Sequence, residues 1–183
     1  MNKNNKNIDI LLPQNQLSLY EYDSYFKTFI DLYKTNKLPK VSLISGPKGS
    51  GKSTFIYHFI NFLLSMNEEN KYLINEKKIN LNNKSFKHVS ANIHPNFISI
   101  KKANDQQYIK IDESRKLIAF LNKSTFLDNK KIVMIDEAES LNINSVNAIL
   151  KTLEEPTLNT FFFIIYNNQC SIPATIKSRS IEF

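Results

Sequence analysis

Glycine is scarce in this chain of 183 residues, which contains only three, at positions 46, 49 and 51. Glycine reaches positive φ angles without a steric penalty and lets a backbone come close to a ligand. Turns elsewhere in the chain must use Asn, Ser and Pro. The clustering of all three glycines within six residues therefore indicates a loop that wraps a ligand.

Cysteine occurs once, at Cys170, which excludes a disulfide framework and a cysteine-based metal cluster. A lone thiol is typical of proteins in a reducing compartment. The three histidines, His58, His88 and His94, lack the spacing of metal ligands, so we interpret them as satisfied or solvated side chains.

Long apolar runs are also absent, and none approaches the length needed to span a bilayer. The first seven residues, MNKNNKN, are polar, and no apolar signal-peptide core follows them. We therefore expect a cytoplasmic protein with no membrane partner.

Arginine is rare as well, because the net charge of +7 rests on 22 lysines and only two arginines. This bias favours a solvated, lysine-rich surface, with a nucleic-acid surface as the alternative. Arg115 falls in a predicted helix and is interpreted as a surface or ion-pair residue. Arg179 is the candidate functional arginine, because a planar guanidinium with several N–H donors suits a phosphate group reached across an interface.

The pattern G-x-x-x-x-G-K-S begins at Gly46, directly after the apolar run 41–45, and a helix is predicted at 54–64. It is typical of the phosphate-binding P-loop, whose backbone N–H groups surround the phosphates of a nucleotide. Lys52 would reach the β- and γ-phosphates, the Ser53 hydroxyl would bind Mg²⁺, and the helix dipole would favour the anion. A glycine-rich turn without a ligand is the alternative. The predicted nucleotide-binding residues are Gly46, Pro47, Lys48, Gly49, Ser50, Gly51, Lys52, Ser53 and Thr54.

The length is typical of one domain, and strands alternate with helices along it, which predicts an α/β fold with a parallel sheet. The predicted strands are 41–45, a second strand formed by Val89 and 97–100, 131–135 and 160–167. Helices are predicted at 18–36, 54–64, 113–122 with Asp112 as N-cap, and about 144–154, with a short helical turn at 173–178. Residues 1–17 are interpreted as a polar segment that is frayed up to Pro13, and 67–87 as a surface loop or insertion.

Two acidic residues, Asp136 and Glu137, follow the buried strand 131–135. Asp136 is placed to bind Mg²⁺ and Glu137 to act on a water nucleophile, although two acids can also cap the next segment. Asn167 ends the Phe-rich strand, where a neutral donor and acceptor could contact a γ-phosphate or the attacking water. An ordinary turn residue is the alternative for Asn167.

Four segments together resemble the AAA+ ATPase domain of bacterial clamp-loader subunits: 46–54, 132–137, NAILKTLEEP at 147–156, and IPATIKSRS at 172–180. The last two are specific, whereas the P-loop occurs in many families. The resemblance covers 18–183 and implies an AAA+ P-loop domain with a central five-stranded parallel sheet flanked by helices. It implies ATP and Mg²⁺ as cofactors, with Ser53 and Asp136 as the metal residues. The implied catalytic residues are Glu137, Asn167 as the first sensor, and Arg179 as an arginine finger acting in trans.

Among these subunits the chain is most similar to the delta-prime subunits of DNA polymerase III. The resemblance implies partners in the gamma/tau and delta subunits, the sliding clamp and, through the assembled complex, primed DNA. Ser180 departs from the family, which has cysteine there. The family continues past the position of Phe183 into lid and collar domains, so we expect these domains to be absent from this chain. A gamma/tau-like motor ATPase and a stand-alone P-loop nucleotide kinase are the alternatives, and ATP hydrolysis at the chain's own site is left open.

Overall fold

The computed structural model describes residues 12–103, 105–123, 130–157 and 159–183. Five strands form one parallel sheet: β1 (Val41–Gly46), β2 (Phe97–Ile100), β3 (Lys131–Ile135), β4 (Thr160–Asn167) and β5 (Ile181–Glu182). The helices are α1 (Asp23–Lys34), α2 (Lys52–Ser65), α3 (Lys84–Ser90), α4 (Ile111–Asn122), α5 (Ile143–Glu154) and α6 (Ala174–Lys177). The strand order β2-β3-β4-β1-β5 confirms the predicted α/β fold with a five-stranded parallel sheet.

Both faces of the sheet are buried, because helices cover each of them. On β4, the side chains of Phe161, Phe163 and Ile165 join the core shared with α1, α2 and α3. The intervening Phe162 and Ile164 join the core shared with α4, α5 and α6. Because successive residues of β4 enter two different cores, residues 161–166 are all apolar or aromatic in the sequence.

Helix α1 begins at Asp23, so the prediction of a helix from Ser18 was wrong at its start. Glu21 adopts a positive φ of 61°, which is incompatible with a helix. The Leu19 N–H donates to the carbonyl of Lys77 at 3.0 Å, which holds this part of the chain in another conformation. A contact across nearly sixty residues therefore overrides the local helical spacing.

The segment 67–87, which was predicted as a surface loop, packs onto the core at several points. The side chains of Tyr72 and Ile79 are buried in the cluster beneath α2. The segment also contains the start of α3, where the Asn83 side chain caps the helix by accepting from the Phe86 N–H at 2.6 Å. Its scattered single apolar residues are thus anchors for an irregular segment.

Two local predictions were wrong. Val89 lies in α3 and is buried there, so it belongs to no strand. Asp112 is not the N-cap of α4, which is Lys110, but an acidic residue in the first turn. Its negative charge still interacts favourably with the amino end of the helix dipole, and it forms an ion pair with Arg115 at 3.0 Å.

The parallel arrangement brings the carboxyl ends of β1, β3 and β4 to the same edge of the sheet. Clefts at this edge are the usual binding sites of open α/β sheets. Within the part of the chain that the structure describes, no helix has both the length and the apolar character needed to cross a membrane.

Candidate nucleotide-binding site

The loop between β1 and α2 takes a conformation that depends on glycine. Gly49 and Gly51 have φ angles of +81° and +87°, in the left-handed region that other residues rarely adopt. Helix α2 begins at Lys52, two residues before its predicted start, so the loop leads directly into the amino end of a helix of fourteen residues. Its backbone dipole favours an anion at this point.

The ammonium group of Lys52 lies against the loop. Its Nζ donates to the carbonyls of Gly46 at 2.7 Å and Pro47 at 2.5 Å. Burial lowers the pKa of Lys52, while the negative charges of Asp136 and Glu139 oppose that shift. The cation is therefore held at the mouth of the loop by backbone dipoles and facing carboxylates.

Ser53 and Asp136 connect the two motifs directly. The Ser53 hydroxyl donates to Oδ2 of Asp136 at 2.8 Å, although the residues are 83 positions apart. Burial raises the pKa of Asp136, and its bonds from Ser53 and from the Glu137 N–H act in the opposite direction. A hydroxyl beside a carboxylate suits Mg²⁺, which prefers oxygen ligands and is commonly bound by one or two carboxylates together with substrate phosphates. These residues therefore fit the Mg²⁺ of a bound nucleotide.

Glu137 follows in a strained conformation, with a φ of +54°. Its N–H donates to Oδ1 of Asp136 at 3.0 Å, which fixes the turn after β3. The Glu137 carboxylate lies 3.8 Å from Nζ of Lys48, and its side chain is one third exposed. This conformation turns Glu137 towards the P-loop, where it could act on a water molecule.

Asn167 lies at the end of β4, as predicted, but its side chain is engaged in the following turn. Its Oδ1 accepts from the Gln169 N–H at 3.1 Å, and its Nδ2 lies 3.6 Å from the sulfur of Cys170. The backbone N–H of Asn167 donates to the carboxylate of Glu139 at 3.2 Å. Sequence reasoning missed Glu139; the available signal was a third acid in the run DEAE that follows β3.

A cleft of about 400 Å³ joins these parts. Seven of the nine predicted nucleotide-binding residues line it, from Lys48 to Thr54. Gly46 and Pro47 instead support Lys52 through their carbonyls. The other lining residues are Pro13, Gln16, Asp136, Glu137, Glu139, Ile165, Tyr166 and Asn167. Pro13 and Gln16 come from the segment that was interpreted as polar and frayed, where no motif pointed to a role.

Arg179 lies away from this cleft. It precedes β5, which runs parallel to β1 from Ser42 onward, so it is at the amino end of the strands, opposite the P-loop. Its guanidinium forms an ion pair with Glu154 and donates to the carbonyl of Thr175 at 2.9 Å. The structure therefore separates Arg179 from the other predicted site residues.

A family model described as "DNA polymerase III, delta subunit" matches residues 22–183. The chain belongs to this family. The curated delta-prime subunit of DNA polymerase III from Pseudomonas aeruginosa is 29% identical to this chain over 140 residues, which are 76% of the chain and 41% of the relative. The delta-prime subunit of Escherichia coli (strain K12) is 26% identical, over 84% of the chain and 44% of the relative.

The chain is also similar to a tau/gamma subunit. The tau/gamma subunit of Haemophilus influenzae is 28% identical over 82% of this chain, which is 20% of that protein. The chain spans less than half the length of the delta-prime subunits that it matches.

Solved structures show the same AAA+ fold at low identity. A protein related to the gamma subunit from Thermotoga maritima has a TM-score of 0.56 at 20% identity, over 85% of this chain and 44% of that one. The RuvB Holliday junction branch migration motor of the same organism has a TM-score of 0.51 at 14% identity, over 93% of this chain and 48% of that one. At these identities the likeness concerns the fold alone.

Proposed function

We propose that this chain is a delta-prime-type clamp-loader subunit of DNA polymerase III. It binds ATP and Mg²⁺ at its P-loop and supplies Arg179 to ATP held by a neighbouring subunit. With gamma/tau and delta subunits it helps to load the sliding clamp onto primed DNA in the cytoplasm. The family membership and the delta-prime relatives support the assembly, and the cleft supports the nucleotide.

Binding of ATP is supported by the combination of loop and acid. Gly49 and Gly51 give the loop the conformation of an anion site, Lys52 supplies the cation, and the bond between Ser53 and Asp136 provides adjacent oxygen ligands. Together these groups supply the anion site, the cation and the metal ligands that Mg²⁺–ATP requires.

The position of Arg179 is the observation that supports its action on ATP bound by a neighbouring subunit. The guanidinium is fixed by Glu154 and Thr175 at the end of the sheet opposite the P-loop. It cannot reach a nucleotide on its own chain, and its side chain is still 29% exposed. A rigidly held, accessible arginine at the rim of an AAA+ domain suits the γ-phosphate of a nucleotide on the next subunit.

The test is clamp- and DNA-stimulated ATP hydrolysis by the reconstituted complex with Arg179→Ala. An arginine finger raises the rate of hydrolysis at one site by about 10³ or more. Stimulated turnover should therefore fall by the amount that the neighbouring site contributes. Arg115→Ala is the matched control, because it removes the only other arginine, which lies exposed on α4. Assembly is followed by size-exclusion chromatography. Unchanged turnover in a fully assembled Arg179→Ala complex would overturn the action in trans.

The second candidate is a gamma/tau-like motor that hydrolyses ATP at its own site. It is favoured by the conformation of Glu137, which faces the P-loop, and by the relatedness to tau/gamma. Glu137→Gln keeps the size of the side chain but removes the base. If the motor candidate is right, the Glu137→Gln complex hydrolyses less ATP than the unaltered complex, because one of its own sites has lost its base. Equal turnover of the unaltered and Glu137→Gln complexes would mean that the chain binds nucleotide without hydrolysing it.

A further inference from the structure

Tyr22 contacts the P-loop from outside the cleft. Its hydroxyl donates to the carbonyl of Ser50 at 2.8 Å, across 28 positions of sequence. Its ring stacks on Phe55 of α2, with centroids 4.9 Å apart and planes 10° apart. The ring is therefore fixed on the side of the loop that faces α1, whereas Ser50 and Gly51 line the cleft.

We propose that Tyr22 is a positioning residue for phosphate binding, which orients the peptide between Ser50 and Gly51. This inference rests on the proposed binding of ATP. In a planar trans peptide the carbonyl and the next N–H point in opposite directions. A hydroxyl that holds the Ser50 carbonyl outwards therefore turns the Gly51 N–H towards the cleft, where the phosphates would accept from it.

The same contact limits which residue can occupy position 51. A Cβ atom on Gly51 would lie 3.3 Å from Cε2 of Tyr22, closer than ordinary contacts. The φ of +87° would strain any side chain there as well. Loop and ring are thus matched in shape: the absence of a side chain at Gly51 lets Tyr22 approach and hold the neighbouring carbonyl.

The test uses Tyr22→Phe, which keeps the stacked ring and removes only the hydroxyl. Tyr25→Phe is the matched control: it makes the same change on a neighbouring exposed ring that contacts both Tyr22 and Phe55. All three glycines of the chain lie in the P-loop, so ¹⁵N-glycine labelling of the tag-free protein gives three backbone amide signals, all from this loop. Mg²⁺–ATP is titrated while these signals are followed, and stability is measured in urea.

Tyr22→Phe should move the Gly51 signal in the free protein and weaken ATP binding by between about twofold and tenfold, the usual value of one hydrogen bond. Tyr25→Phe should do neither. The Gly51 signal reports that the bond to the Ser50 carbonyl has been lost, and ATP affinity distinguishes the two roles. A purely structural role would lower the urea midpoint and leave ATP affinity unchanged. Unchanged ATP affinity in Tyr22→Phe would therefore overturn the inference while leaving ATP binding intact. Absence of binding to the unaltered chain would overturn the proposed nucleotide site, and this inference with it.

Discussion

His58 lies fully buried in α2 and contacts Gln16 and Tyr72, neither of which lies in a helix or strand. Its Nε2 is 3.1 Å from the carbonyl of Gln16, which can only accept, so Nε2 carries the proton. Its Nδ1 therefore accepts from the hydroxyl of Tyr72, at 2.8 Å. The neutral ring thus links the segment before α1 to the segment after α2.

Burial lowers the pKa of His58 from its ordinary value of 6.5 to about 4. Between these pH values the unfolded chain binds a proton at this position and the folded chain does not. Stability is therefore fully present above pH 6.5 and is lost as the pH falls towards 4. At 1.36 kcal/mol per pH unit the full loss is about 3 kcal/mol, and about 2 kcal/mol of it falls between pH 7 and pH 4.5. That is a large fraction of the 5–15 kcal/mol typical of a domain.

The assay is urea unfolding followed by circular dichroism at pH 7 and at pH 4.5, for the unaltered chain and for His58→Gln. Glutamine keeps a donor for Gln16 and an acceptor for Tyr72 but does not titrate. His88→Gln, on an exposed histidine, is the matched control. The loss of unfolding free energy on acidification should be about 2 kcal/mol smaller in His58→Gln than in the other two proteins. Between the unaltered chain and His58→Gln the other acid-sensitive groups cancel, including His94, whose pKa burial also lowers to about 4.

An equal acid loss in all three proteins would refute the reasoning. It would mean that His58 is protonated in the folded chain near its ordinary pKa. The contact with the Gln16 carbonyl would then have to survive protonation without the bond from Tyr72.

Three further predictions concern the loop, the arginine and the core. Lys52→Ala should abolish detectable binding of a fluorescent ATP analogue, because it removes the cation of the loop, while circular dichroism shows the fold retained. Glu154→Gln should reduce stimulated turnover of the assembled complex by less than Arg179→Ala, because the Thr175 carbonyl still holds the guanidinium. Phe163→Ala should lower the free energy of unfolding by about 3–5 kcal/mol in urea titrations, because its fully buried ring packs against two other aromatic rings. A loss under 1 kcal/mol would contradict that packing.

Much of the fold was predictable because its signals are local. Residues 132–135 and 161–166 are apolar or aromatic at successive positions, and the strands 131–135 and 160–167 have the predicted bounds. The helix after Gly51 was likewise predictable, because the P-loop pattern that follows a buried strand is itself followed by a helix. The errors lie where local patterns compete with distant contacts, as at Leu19, whose helical spacing yields to pairing with Lys77.

The candidate site divides in the same way. Lys52, Ser53 and Asp136 were identified from sequence because each lies within or directly after a short pattern with a chemical meaning. Glu139 was missed, because its bond to the Asn167 N–H depends on how two neighbouring strands end. Gln16 was missed for a similar reason, since nothing in its own neighbourhood shows that it borders the cleft.

The sequence by itself predicted β1, β3 and β4 and pointed to the P-loop and its acids as a candidate site, because apolar runs and motif spacing are properties of adjacent residues. Only the tertiary structure decided that Ser53 meets Asp136, that Tyr22 holds the Ser50 carbonyl, and that Arg179 faces away from its own loop. These contacts join residues separated by tens of positions. Their geometry follows from how the sheet and helices pack, and no local pattern encodes it.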